Sequence, residues 1–230
     1  MKDKIIVACD VSSKDDFIHL ARKLQKSASF IKIGMECFYS LGNESVTIAK
    51  DFGYKVFLDL KLHDIPNTVE RSCRSLSRLG VDILNVHALG GLEMMKAAKQ
   101  GIQAGTNSPL LIGVTHLTSL NQTSLTGELG IKKEILQSTI DLALLTKKAG
   151  LDGVVSSAHE VKEIKKACGS DFLAITPGIR LGTENQHDQK RVMNPAEAFS
   201  EGSDYLVIGR SITNSDNPDK IFNKIAQELL

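Results

Sequence analysis

The sequence has almost no net charge: 28 Lys and Arg stand against 27 Asp and Glu, which leaves +1. No broad field exists to draw in nucleic acid or an anionic membrane, so any attraction for an anion has to be local. Cysteine is scarce as well. Cys9, Cys37, Cys73 and Cys168 lie far apart with no CxxC pair. That spacing fits neither a zinc site nor a secreted disulfide framework, and implies reduced packing residues in a cytoplasmic protein. Long apolar runs are missing too. The opening MKDKIIVACD ends its apolar run at Asp10, short of the ~7 to 15 residues of a signal core. No run approaches the ~20 residues needed to cross a bilayer. Low-complexity tracts and a linker that would divide the chain are also lacking.

What is present is enough apolar matter for a sizeable core, 42% of 230 residues, and one domain spanning residues 1–230 is the expectation. Short β-rich runs recur throughout: IIVACD (5–10), FIKIG (30–34), YKVFLDL (54–60), DILNVHA (82–88), LLIGVTHL (110–117), GVVSSA (153–158), FLAITPG (172–178) and YLVIGRS (205–211). Stretches of helical period lie between them, among them residues 15–25, 68–79, 134–150 and 218–230. Such α/β alternation predicts a parallel sheet with helices outside. Eight units at this length favour a closed (β/α)8 TIM barrel over an open doubly wound sheet. An open sheet would carry GxGxxG after its first strand, where this chain has DVSSKDD.

Alternate residues of a barrel strand face the lumen and the helix layer. Parity turns Val56, Leu58 and Leu60 toward the helices and leaves Phe57, Asp59 and Lys61 inside; it also places Lys32 and Asp10 inside. Active sites of this fold lie at the C-terminal ends of the strands, where Asp10, Asp59, Lys61, Thr118, Pro177 and Arg210 are found. A structural salt-bridge network is the alternative, but desolvation can cancel the attraction of such a network. In IGRSIT (208–213), Gly209 lets backbone N–H groups approach a phosphate and Arg210 adds a fork of donors. Arg180, after the seventh strand, can grip the same group from the other side. Residues 182–193, GTENQHDQKRVM, read as a lid beside it. His63 and His116 read as packing or surface residues, and no HxxxH spacing supports a transition-metal site.

The run DLKLHDIPNT resembles the DxKxxDIPxT signature of orotidine 5′-phosphate decarboxylases. Asp10, Lys32 in FIKIG, NVHA (85–88), VTHLTS (114–119), TPGIR (176–180), HDQKR (187–191) and VIGRSIT (207–213) are similar to that family in order and spacing, over almost the whole chain. The resemblance implies decarboxylation of orotidine 5′-phosphate to uridine 5′-phosphate, with no cofactor and no metal. It makes Lys61 the proton donor, within an alternating network of Lys32, Asp59 and Asp64. Asp10 and Lys32 would contact the ribose, Thr118 the pyrimidine, and Arg180, Gln189, Gly209 and Arg210 the phosphate. It further implies a homodimer in which Asp64, Ile65 and Thr68 reach into the partner's pocket. Two rivals stand beside it. One is a Mg²⁺-dependent phosphosugar decarboxylase or synthase of a related barrel family, against which the IPxT continuation argues; the other is a non-catalytic nucleotide-binding barrel.

Overall fold

Val7 pairs with Ile31 on one side and with Ile208 on the other, so the first and last strands share a ladder and the sheet closes. The computed structural model describes residues 1–180 and 192–229. Its strands, all parallel and in chain order around a closed barrel, are β1 Ile5–Cys9, β2 Phe30–Gly34, β3 Lys55–Leu62, β4 Ile83–His87, β5 Leu110–Val114, β6 Gly153–Val155, β7 Leu173–Thr176 and β8 Tyr205–Ile208. The helices that cover it start with α1 Lys14–Leu24, α2 Met35–Leu41, α3 Asn43–Asp51 and α4 Pro66–Ser77. They continue with α5 Gly91–Gln103, α6 Gln122–Gly127, α7 Ile135–Lys148, α8 Ala158–Cys168, α9 Pro195–Ser200, α10 Arg210–Thr213 and α11 Pro218–Glu228. The TIM barrel read from the alternation is the architecture observed.

Elements differ from expectation mainly at their ends. The runs predicted as strands five to eight stop early because their last residues leave the ladder for the loops of one mouth. The helix expected from Thr68 starts at Pro66, whose fixed φ is already helical and whose missing N–H has no partner to lose at that position. None of the described helices is long and apolar enough to cross a membrane.

Strand parity divides the core in two. Ile6, Ala8, Phe30, Phe57, Ile83, Ile112, Ile175 and Val207 fill the lumen. Val7, Ile31, Ile33, Val56, Leu58 and Leu60 face the helices, with Phe17, Leu24 and Phe222 packed over them. The four cysteines are buried thiols. Burial pushes Cys73 up to about 12 and, with the Asp10 charge nearby, Cys37 up to about 11, so both are protonated packing groups.

At the opposite mouth a Gly-x-Asp corner recurs before β4, β6 and β8. Gly80, Gly150 and Gly202 take φ of 72°, 81° and 100°, which suits glycine and turns the chain from helix to strand. The aspartate two residues on then clips the preceding strand. Asp82 accepts from Val56 N–H (2.7 Å) and Lys50 (2.6 Å). Asp152 accepts from Leu111 N–H (2.7 Å) and Lys99 (3.1 Å). Asp204 accepts from Ala174 N–H (2.8 Å) and Lys165 (2.6 Å). Asp204→Ala leaves the N–H of buried Ala174 without its acceptor. It is expected to cost about 2 kcal/mol and to lower Tm by about 4–8 °C in thermal unfolding.

Candidate active site

The C-terminal ends of the strands open onto a cavity of about 580 Å³ whose walls include Asp10, Lys32, Asp59, Lys61, Thr118, Pro177, Arg180, Gly209 and Arg210. One strand residue after another brings charge to its floor. Lys32 and Asp59 project from β2 and β3 just above the apolar lumen layer, at 9% and 8% exposure. Lys32 Nζ lies 3.1 Å from Asp10 Oδ1 and 3.4 Å from Asp59 Oδ2. Lys61 Nζ donates to Asp59 Oδ1 at 2.7 Å. Burial alone would push the Asp59 carboxyl up, but the ammonium charges of Lys32 and Lys61 and the hydrogen bonds from Lys61 and Asn85 outweigh it. They hold the group below the usual carboxylate range. Burial would likewise pull Lys32 down, and Asp59 and Asp10 together raise it instead.

The position of Lys61 depends on a break in the sheet. β3 and β4 are in register at Leu58 and Leu84 and meet again at Leu62 and Val86, so Asp59, Leu60 and Lys61 bulge opposite Asn85 alone. Lys61 has φ 51°, the one non-glycine positive φ among the described residues. A left-handed residue with a side chain costs about 1–2 kcal/mol, and the surroundings must hold it there. Asn85 Oδ1 accepts from Lys61 N–H at 2.8 Å, while its Nδ2 donates to Asp59 Oδ1 at 2.7 Å. Parity alone sends Lys61 inward; the bulge and this amide bring it to the cavity. A close approach adds a further constraint at the end of β2. A Cβ on Gly34 would lie 2.8 Å from Lys32 Nζ and 2.9 Å from Asp10 Oδ1.

Across the cavity, Arg180 is buried at 8% exposure and donates through Nη1 to Ile179 O at 3.0 Å. Arg210 is exposed and opens α10 directly after Gly209. Thr118, at 9% exposure, reaches the wall from the loop after β5, and Pro177 from the residue after β7. Gln189 and most of the stretch 182–193 lie outside the described residues. At that stretch's end Met193 N–H donates to Gly178 O (3.2 Å) and Arg180 N–H to Met193 O (3.1 Å). Asp64, Ile65 and Thr68 are exposed and do not line this chain's own cavity. Asp64 Oδ1 accepts from Ile65 N–H at 2.6 Å. His116, read as packing or surface, is buried at 2% exposure, with Nε2 2.8 Å from Ser138 Oγ, and also borders the cavity. Asn85 is the residue that sequence reasoning passed over. Its signal was available: a polar side chain at a lumen-facing position of β4, beside Asp59.

The family model described as orotidine 5′-phosphate decarboxylase / HUMPS family matches residues 3–225. The chain is 46% identical over 232 residues to an orotidine 5′-phosphate decarboxylase of Bacillus cereus (strain AH820), covering 99% of this chain and 98% of the relative. It is 47% identical over 230 residues to that of Legionella pneumophila (strain Corby), covering 100% of both. Among solved structures, an orotidine 5′-phosphate decarboxylase from Lactobacillus acidophilus is similar with TM-score 0.88 and 37% identity, over 99% of each chain. An uncharacterized conserved protein from Geobacillus kaustophilus matches with TM-score 0.87 and 41% identity, over 98% of this chain and 100% of that one.

Behind Lys61 the rings of His63 and His87 stack, with centroids 5.4 Å apart. His87 Nδ1 accepts from Leu89 N–H at 3.3 Å, which requires that nitrogen unprotonated. Burial, then the charges of His63, His116 and Lys61, push His87 down to about 4. Because an unfolded histidine binds its proton below about 6.5, unfolding takes up a proton between that pH and about 4. Stability supplied by neutral His87 is therefore complete above pH ~6.5 and lost as pH falls toward ~4. Denaturant titrations at pH 7 and pH 5 are expected to show a smaller loss for His87→Asn, which keeps an acceptor for Leu89, than for the native chain.

Proposed function

Because the chain belongs to the orotidine 5′-phosphate decarboxylase / HUMPS family over residues 3–225, we propose that it converts orotidine 5′-phosphate to uridine 5′-phosphate and CO₂ without a cofactor, Lys61 supplying the proton. The whole chain would act as one catalytic domain, and its buried, unpaired thiols suit a reducing cytoplasm. The observation that carries this reading is the row Lys32, Asp59, Lys61, in which one buried carboxylate joins two ammonium groups at the cavity floor. When the C6–carboxylate bond breaks, its electron pair stays on C6. The Lys61 ammonium stabilises that charge and then transfers a proton to it. The base it leaves is reprotonated from solvent.

Asp59 has two roles here. It holds the Lys61 ammonium in place. A carboxylate about 4 Å from the substrate's own carboxylate also adds about 4 kcal/mol of repulsion at an effective dielectric of about 20, which departure of CO₂ relieves. Arg180, Gly209, Arg210 and Gln189 would hold the phosphate, Thr118 and Pro177 border the pyrimidine, and Asp10 and Lys32 bind the ribose. Remote phosphate binding then supplies the energy that keeps the two carboxylates together. The Mg²⁺-dependent phosphosugar alternative fits less well. A divalent cation at Asp59 would have to share it with two ammonium groups.

The partner in this reading is a second copy of the chain. Met35 (46%) and Tyr39 (72%) on α2, Ile65 (66%) after β3, Leu89 (41%) after β4 and Leu117 (40%) after β5 expose apolar surface along one side of the cavity rim. Such clustering is what an interface would cover. It would carry Asp64, Ile65 and Thr68, which this chain's own cavity does not use, toward the cavity of the other copy.

The ultraviolet absorbance of orotidine 5′-phosphate mixed with purified protein and chelator tests the chemistry. Consumption is expected to persist in chelator, and Lys61→Ala to lower turnover by at least about 10³-fold while staying folded. Dependence on added Mg²⁺ favours the alternative, and normal turnover by Lys61→Ala removes the proton donor. Mixing Lys61→Ala with Asp64→Ala chains tests the sharing. Heterodimers then contain one intact site, so activity is expected to return to about a quarter of the native level after subunit exchange. No recovery shows that each site is built from a single chain.

A further inference from the structure

Asn85 is fully buried on β4, directly across from the segment where β3 leaves the ladder. Its register neighbour on β5 is apolar, Ile112. The charged groups that face it are Asp59 and Lys61 on β3, with Lys32 of β2 beyond Asp59. The two bonds it makes have opposite polarity. The Lys61 peptide N–H can only donate, and the Asp59 carboxylate can only accept. A side-chain amide of this length satisfies both at once. An ionised aspartate offers no donor, leucine offers neither group, and a serine hydroxyl is too short to span both.

We propose that Asn85 is a positioning residue. By tying the Asp59 carboxylate to the Lys61 peptide N–H, it holds the left-handed backbone that aims the Lys61 ammonium into the cavity. Within the bulge the strand ladder no longer sets the direction of Lys61, and the amide takes over that task. The inference rests on Lys61 as the proton donor, and it gives Asn85 no contact with substrate.

Steady-state kinetics of Asn85→Ala and Asn85→Asp, with the native chain and Lys61→Ala alongside, test it. Asn85→Ala is expected to lower kcat by about 10- to 100-fold through misaiming of the donor. KM should move less than about threefold, because the phosphate grip lies across the cavity. Asn85→Asp keeps the acceptor for Lys61 N–H but sets a second carboxylate against Asp59. Like-charge repulsion raises the pKa of the introduced carboxyl, and once protonated it again donates to Asp59. Its kcat, relative to the native chain at each pH, is therefore expected to rise as pH falls from 8 to 5.5. A residue that only fills space would show no such recovery. If Asn85→Ala fails to fold, the pH profile of Asn85→Asp decides the matter. Native-like kcat in Asn85→Ala, or a flat relative profile in Asn85→Asp, overturns the proposal while leaving the proposed reaction standing. A native chain that leaves orotidine 5′-phosphate untouched, or an active Lys61→Ala, overturns the donor reading and this inference with it.

Discussion

One carboxylate, Asp59, organises the cavity. Its Oδ1 accepts from Lys61 and from Asn85, and its Oδ2 faces Lys32. Taking such a group out of water costs several kcal/mol, and the arrangement is stable only because three donors surround it. The reverse holds for the cations. Without Asp59, two ammonium groups would stand at one cavity floor, with the half-exposed Asp10 left to pair with Lys32. Little net stability is to be expected from so balanced a set. What it supplies is orientation: donors fixed around one carboxylate.

The apolar lumen beneath contributes to the same end. Phe57, Ile83, Ile112 and Val207 form a floor that excludes water from below, so the charges above interact through a medium less polarisable than solvent. Gly34 leaves the ion pair room at the side, since even one methyl group there would displace Lys32 or Asp10. Specific chemistry and plain packing thus share the same strands, separated only by which residue along the strand is counted.

Much of this was legible in the chain. Period-two alternation in FIKIG and KVFLDLK assigned Lys32 and Asp59 to the lumen, because burial of Ile31, Ile33, Val56 and Leu58 against helices leaves the intervening residues no other side. The eight strands followed from β-branched runs between amphipathic stretches. Lys61 was placed correctly for an incomplete reason: parity does not survive the bulge, and a bulge is a property of two strands that neither strand's own pattern declares. Asn85 escaped for the same cause, since its worth lies in what stands across from it. The Gly-x-Asp corners were half seen. Their glycines marked helix ends, but the clip each aspartate makes joins residues 26 to 41 positions apart.

Those corners also bear on the reacting end of the molecule. Asp82 fixes Val56 near the base of β3, and Lys61 stands five residues further along the same strand, where it has left the ladder. The depth at which its nitrogen sits is therefore measured from an anchor at the far mouth of the barrel. A strand that slid at its root would carry its tip with it, so architecture that never meets the nucleotide still sets the scale on which its atoms are aligned.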